Sequence, residues 1–272
     1  MKKKQTVGGQ DNQKLKNKLK ERNKISIIII ARDESGMIGD CLRSVAWADE
    51  IIVVDTGSID KTAQIAQSLG IRVIKLKFTG YDFSAWRNRG LKEAGGDWIF
   101  YLDADERVSP LLKEEILDLI VNRDFSAYDI PRRNFYLGKE MHFGGAWPDR
   151  VLRFFKKEDL IQWEGKLHEQ PNFKGKMGQL ESPLIHLSHR DLSSMMKKTI
   201  DWTQIEARLL FEDNHPPVAW WRIHRMMLTK FWERMIKQQS WRDGTEGWIN
   251  AIFEVFNTFI IYTRLWELQN QT

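Results

Sequence analysis

Residues 98–106 read WIFYLDADE. Five apolar side chains in a row, rich in aromatic and β-branched types and too few for a helix, predict a strand buried on both faces. Asp103-Ala104-Asp105 then places carboxylates at alternate positions just past its end. Such a pair can hold one hard divalent cation, Mg²⁺ or Mn²⁺, while leaving coordination positions open for phosphate oxygens. Any acidic loop can supply Asp-x-Asp, so its meaning depends on the strands around it.

Toward the N-terminus the same kind of strand recurs. Residues 25–30 (ISIIII), 51–54 (IIVV) and 73–76 (VIKL) are short runs of this type. Helical patterns separate them. The first has Ser35 as expected N-cap and Met37, Ile38, Cys41, Leu42 and Val45 on one face. The second runs over 62–69 and closes at Gly70; the third runs over 85–94, with Ser84 as expected cap and Gly95-Gly96 at its end. Beyond WIFYL, Ser109-Pro110 pairs a cap with a proline at the first helical position. Strands alternating with helices predict an α/β fold with a mostly parallel sheet. Ligands of such sheets bind beyond the carboxyl ends of the strands. Those ends here are Ala31-Arg32-Asp33-Glu34, Asp55-Thr56-Gly57-Ser58 and Asp103-Ala104-Asp105-Glu106, so three strands are expected to deliver carboxylates to one rim.

The chain has 272 residues, 42% of them apolar, and a net charge of +5. The excess is local: residues 1–24 hold nine Lys/Arg against two Asp/Glu, leaving the rest of the chain at about −2. A basic tail, not a basic body, argues against nucleic acid as a partner. The tail lacks the apolar centre of a signal peptide; it reads either as a solubilising segment or as one attracted to anionic lipid. Cys41 is the single cysteine, expected as a core filler in a reducing compartment. The best membrane-span candidate, residues 251–268, is broken by Glu254, Asn257, Arg264 and Glu267, so an integral membrane protein is not expected. DTGSID holds one glycine where a nicotinamide-binding fingerprint needs three.

The runs ISIIIIARDE, IIVVDTGSIDKT and FSAWRNRGLKEAGGDWIFYLDADE, in that order over residues 25–108, resemble the N-terminal half of family 2 glycosyltransferases, which have the GT-A fold. YDIPRRNFYLGKEMHFGGAWPDRVLRFF and WEGKLHEQ resemble, more narrowly, the branch with bacterial lipopolysaccharide-core glucosyltransferases. The resemblance implies an inverting hexosyltransferase that uses a divalent metal and a nucleotide-diphosphate sugar, with UDP as the expected nucleotide. The implied acceptor is a saccharide of the cell envelope or a lipid-linked one. It also implies roles. Asp55 and the Ala31, Arg32 and Glu34 segment hold the nucleoside, and Arg87 contacts the diphosphate. Asp103, Ala104 and Asp105 meet ribose, metal and diphosphate, and His186 is a further metal ligand with His189 as competitor. Gly145, in the Gly144-Gly145-Ala146-Trp147 loop, lets backbone approach a sugar. Where many relatives carry a Glu-Asp pair with the general base, this chain has Leu167-His168-Glu169; Glu169 is assigned as base, with Asp149 and His168 as rivals.

The expected organisation is a tail over 1–24, a GT-A catalytic domain over 25–190 and a helical region over 191–272. In the last, a helix over 220–237 places Trp220, Trp221, Met227, Leu228, Phe231, Trp232 and Met235 on one arc, with Arg222, Arg225, Lys230, Glu233, Arg234 and Lys237 opposite. Two readings stand: a helix at an anionic membrane surface, on the inner face of the cytoplasmic membrane, or one packed on the catalytic domain. Two other functions compete with the sugar transferase. A sugar-nucleotide nucleotidyltransferase would need a glycine-rich loop after the first strand, which ARDESG is not; a non-catalytic nucleotide-sugar binder would not need both Asp103 and Asp105.

Overall fold

The computed structural model of the protein describes residues 23–121, 124–165 and 169–271. The tail thus lies outside the described residues except for Asn23 and Lys24. Lys24 is already tied to the sheet edge, its N–H donating to Asp97 and its carbonyl accepting from Trp98. The described chain falls into two compact units. One runs up to Ile130 and resumes over Val151–Leu184; the other comprises Pro131–Arg150 and the chain from Ile185 onward.

In chain order the first unit begins β1 (Ile25–Ala31), α1 (Ile38–Ser44), β2 (Glu50–Asp55), α2 (Thr62–Ser68) and β3 (Arg72–Lys75). It continues with α3 (Phe83–Glu93), β4 (Trp98–Asp103), β5 (Glu106–Val108) and α4 (Pro110–Leu119). Strands β6 (Ala127–Tyr136), β7 (Lys139–Glu140), β8 (Arg150–Lys156), β9 (Leu160–Glu164), β10 (Gln170–Phe173), β11 (Met177–Gln179) and β12 (Leu184–His189) follow. β2 and β4 flank β1 in parallel, β3 extends the sheet beside β2, and β8 joins β4 antiparallel. This is the α/β, GT-A type of sheet that the sequence predicts. Ile25, Ile27 and Ile29 enter one hydrophobic core while Ile28 enters another, which explains why β1 has no polar face. The helix α3 lies so close to β1 that a Cβ on Gly90 would stand 2.4 Å from Ile28 Cγ2.

Several local expectations hold. Gly70, at φ +74°, ends α2: its N–H bonds Gln67 and that of Ile71 bonds Ala66, a Schellman closure. Ser109 caps α4 through Leu112 N–H. Three expectations do not. Ser35 does not cap α1; its N–H donates to Asp60, and α1 starts after Met37 without a side-chain cap. α3 starts two residues earlier than predicted and is capped by Asp82, which accepts from Ala85 N–H, while Ser84 hydrogen-bonds to that same carboxylate. A carboxylate outcompetes a nearby hydroxyl for N–H donors because its full charge strengthens the bond. Finally, Glu106 is not a rim acid; it is fully buried and accepts the Asp103 N–H, bracing the turn.

The second unit holds α5 (Leu192–Glu212), α6 (Trp220–Trp232), a π turn (Glu233–Lys237), a short 3₁₀ turn (Ser240–Asp243) and α7 (Gly244–Asn270). Asp191 and Ser194 form a reciprocal capping box at α5. Both α5 and α6 pack on α7, around Ala207, Val218, Tyr262 and Leu265. Cys41 is buried, as expected, and burial pushes its thiol well above the ordinary range, which leaves it inert. No helix among the described residues is long and apolar enough to cross a membrane.

Candidate active site

Strand register assembles the rim in the first unit. Ala31 pairs with Asp55 across β1 and β2, and Ile30 pairs with Asp103 across β1 and β4. The two aspartates therefore end strands on either side of β1, and Asp105 follows on the turn after β4. Asp55 is buried, and one carboxylate oxygen accepts the Ser58 N–H at 2.9 Å, so it also shapes its own turn. The segment after β1 is braced against that turn. Asp33, at φ +55°, donates its N–H to Ser58 and accepts that of Ile59, and Glu34 N–H donates to Thr62. Arg32 lies over the rings of Phe78 (4.1 Å) and Tyr81 (4.8 Å) and donates to the Tyr81 hydroxyl at 2.5 Å. An arginine stacked this way is held in place by cation–π attraction.

Beside Asp103 sits a buried ionic quartet. Arg87 is 2% exposed; its Nε donates to Glu169 at 3.0 Å, and its Nη2 lies 3.8 Å from Asp103 Oδ1. Arg153, on β8 and 9% exposed, donates from Nη2 to the other Asp103 oxygen at 2.7 Å. Two guanidinium groups and two carboxylates sum to zero charge, the condition under which burial of ions is tolerable. Burial, followed by the adjacent Arg153 charge, pushes Arg87 below its ordinary pKa. Burial opposes the Arg153 charge too, but Asp103, Glu106 and Glu169 hold it above its ordinary value. The guanidinium of Arg87 stacks over Trp163 (4.7 Å) and Tyr101 (5.4 Å). Trp163 is itself pinned by a two-way exchange with the Asn88 side chain, at 2.8 Å in each direction. Arg87 is thus an interior residue of α3, not a surface one. Its Nη1 and that of Arg153 are buried without a hydrogen-bond partner.

Arg153 escaped the sequence reading. The available signal was a single cation inside the apolar run VLRFF, which a strand would bury only if an acid were waiting for it.

In the second unit, Gly144 (φ +66°) and Gly145 (φ +79°) occupy the left-handed region. Packing demands glycine here as well: a Cβ on Gly144 would lie 2.5 Å from Ser240 Oγ, and one on Gly145 3.1 Å from the Gln238 amide. The loop is clamped by Gln238, whose carbonyl accepts Gly144 N–H, by Arg234 on the Gly144 carbonyl, and by buried Asp243 on the N–H groups of His142 and Phe143. Asp149, one rival for the base, accepts from Arg132 and from Asn134. His168, the other, lies outside the described residues. His186, on β12, pairs its Nδ1 with Asn134 Oδ1 at 2.6 Å, and His189 packs against the Tyr136 ring.

The donor set, carboxylates with an imidazole, has the chemistry of a Mn²⁺ or Mg²⁺ site. Among the described residues no three His, Cys, Asp or Glu side chains are gathered into a ready-made metal cluster. A cation here would have to complete its shell with phosphate oxygens and water, as Mg²⁺ commonly does.

The chain is 25% identical over 257 residues to the lipopolysaccharide core biosynthesis glycosyltransferase LpsC of Rhizobium meliloti, a match covering 89% of this chain and 92% of that protein. It is 33% identical over 146 residues to a TPR repeat-containing protein of Synechococcus elongatus; this covers 53% of the chain but only 34% of that longer protein. Among solved structures it is similar to S. aureus TarS 1–349 in complex with UDP-GlcNAc, at a TM-score of 0.48 and 15% identity, over 91% of this chain and 92% of that one. The model of glycosyl transferase family 2 matches residues 26–175, from the first residues of β1 through the strand ends that carry Asp55, Asp103 and Asp105 and on to Glu169. With more than half of its length inside that match, the chain belongs to glycosyl transferase family 2.

Proposed function

We propose that this glycosyltransferase moves a hexose from a UDP-sugar to a saccharide of the cell envelope, such as lipopolysaccharide core, with inversion at the anomeric carbon. The observation that carries the reading is the register of β2, β1 and β4, which ends two strands in Asp55 and Asp103 at one rim. The acceptor class rests on the similarity to LpsC across nearly the whole of both chains.

In this reading Asp55 and the segment of Ala31, Arg32 and Glu34 hold the nucleoside. Asp103, its carboxylate oriented by Arg87 and Arg153, faces the ribose or the metal; Asp105 faces the metal and the diphosphate, and His186 supplies a nitrogen ligand. A divalent cation bound there would offset the charge building on the departing diphosphate. The acceptor hydroxyl attacks the anomeric carbon from the face opposite the UDP oxygen. As that carbon–oxygen bond breaks, Glu169 takes the hydroxyl proton. Arg87 fixes the Glu169 carboxylate through its Nε, which supports a pre-aimed base. Gly145 belongs to the loop lining the pocket for donor and acceptor. The enzyme works at the cytoplasmic face of the membrane, to which the Trp-rich helix α6 attaches it.

Calorimetric titration with UDP and Mn²⁺ tests the donor site. Wild-type protein is expected to bind UDP more tightly with Mn²⁺ than without, and Asp105→Ala to lose that gain. Absence of UDP binding by the wild type would overturn the reading.

A further inference from the structure

We propose that Asn134 is a positioning residue that sets the tautomer of His186, holding the ring proton on Nδ1 and presenting the Nε2 lone pair to a divalent cation. The inference rests on the reading of His186 as a metal ligand for its purpose, but on this unit's own hydrogen bonds for its geometry.

Asn134 lies on β6, is buried, and has its side chain used at both ends. Its Nδ2 donates to the Ala146 carbonyl at 2.9 Å and to Asp149 Oδ2 at 2.9 Å. Both partners are acceptors, so both amide hydrogens are committed, and the amide cannot be turned over without setting oxygen against oxygen. Its Oδ1 is therefore the atom that faces His186 Nδ1 at 2.6 Å. A carbonyl oxygen only accepts, so the imidazole must donate from Nδ1. In the neutral ring this leaves Nε2 as the nitrogen with the lone pair, the atom a metal needs.

The orientation is secured one step further out. Asp149 is held by Arg132 through Nε (2.9 Å) and Nη2 (2.8 Å), which keeps the carboxylate charged and turned toward Asn134. The chain Arg132–Asp149–Asn134–His186 thus carries a charge preference inward to a ring proton. Histidine ligands ordinarily donate their second N–H to a fixed acceptor, and loss of that partner typically costs about 10–100-fold in metal affinity. It also gives Asp149 a role other than that of general base.

The test uses ¹⁵N-histidine-labelled full-length protein at a pH of about 8, above the ordinary imidazole range. Long-range ¹H–¹⁵N spectra report the tautomer, with His186→Gln identifying the signal. Wild-type His186 is expected as the Nδ1–H form. Asn134→Leu is expected to lose that signature and to bind Mn²⁺ at least about tenfold more weakly with UDP present. Asn134→Ser, which keeps a small polar side chain in the strand, serves as the milder variant and should show the same loss. An Nε2–H tautomer in the wild type would overturn the assignment with no variant needed, as would Asn134→Leu retaining both signature and affinity. The wild-type tautomer as described, with Mn²⁺ affinity unchanged in both His186→Gln and Asn134→Leu, would instead overturn the cation's use of this nitrogen. Failure of the wild type to bind UDP at all would strike the donor reading and leave the tautomer measurement standing.

Discussion

At the scale of single residues, Glu169 and Asp60 show how one type of side chain serves different ends. Glu169 accepts a hydrogen bond from Arg87 Nε, and an amide oxygen can accept the same bond. Glu169→Gln should therefore keep the local geometry while losing the ability to take a proton. The expected result is a fall in kcat of about 10²–10⁴-fold, with the donor KM little changed. An unaltered kcat would remove Glu169 as base. Asp60 is structural. Burial works against its charge, yet the Thr62 hydroxyl and the N–H groups of Ser35 and Thr62 hold its pKa down to about 2 from an ordinary 3.8. A carboxyl depressed on folding stabilises the native state above its unfolded pKa, and that contribution fades as pH falls through the folded value. Urea unfolding of wild type and Asp60→Asn should thus differ by about 1–3 kcal/mol at pH 6. The gap should close between pH about 4 and about 2; a gap that stays constant across that window would contradict the assignment.

At the scale of elements, the α3–β1 contact is set by the absence of a side chain at Gly90. A methyl group there would meet Ile28 Cγ2 at 2.4 Å and Val54 Cγ2 at 3.3 Å, both in the packed core. Gly90→Ala is expected to cost about 1–3 kcal/mol, despite the better helix propensity of alanine. The measure is a lower denaturation midpoint at unchanged slope; a variant as stable as the wild type would show that the sheet can yield there. Strands β1, β2 and β4 were legible because burial on both faces leaves only long apolar runs, and their carboxyl ends located Asp55 and Asp103 with them. Caps were less legible. Ser35 and Ser84 looked adequate locally, but Asp60 and Asp82 reach the same neighbourhoods, one of them from 25 residues along the chain. The quartet was half legible. Arg87 and Glu169 stood out through resemblance, whereas Arg153 and the inward turn of Glu106 depend on β8 and β5 lying beside β4's end, which no local pattern encodes.

At the scale of the whole molecule, charge and exposed apolar surface are distributed unevenly. The nine basic residues of the N-terminal 24 carry the positive excess. In the helical unit, α6 has no buried residue at all, and Trp220, Leu228 and Trp232 are 75%, 69% and 59% exposed. Trp220, Trp221, Leu228, Phe231 and Trp232 contribute to the lining of an open groove of about 650 Å³, and Arg222 and Arg225 stack on the Trp221 ring. On α7, Trp248, Ile252, Phe256 and Phe259 recur at helical spacing along one exposed stripe. Of the two readings of the Trp-rich helix, packing on the catalytic domain would bury this apolar arc. Its exposure favours the lipid interface, where indole rings sit at headgroup depth and each nearby basic residue adds about 1 kcal/mol on an anionic surface. The full-length protein should float with vesicles containing phosphatidylserine and stay behind with neutral phosphatidylcholine. Added salt should weaken the binding by screening its electrostatic part. Trp220→Ser with Leu228→Ser and Trp232→Ser should abolish flotation without shifting the thermal midpoint, because none of the three side chains contributes to the core. Equal flotation on neutral and anionic vesicles would leave the basic residues without a role, and flotation by the triple variant would place the attachment elsewhere.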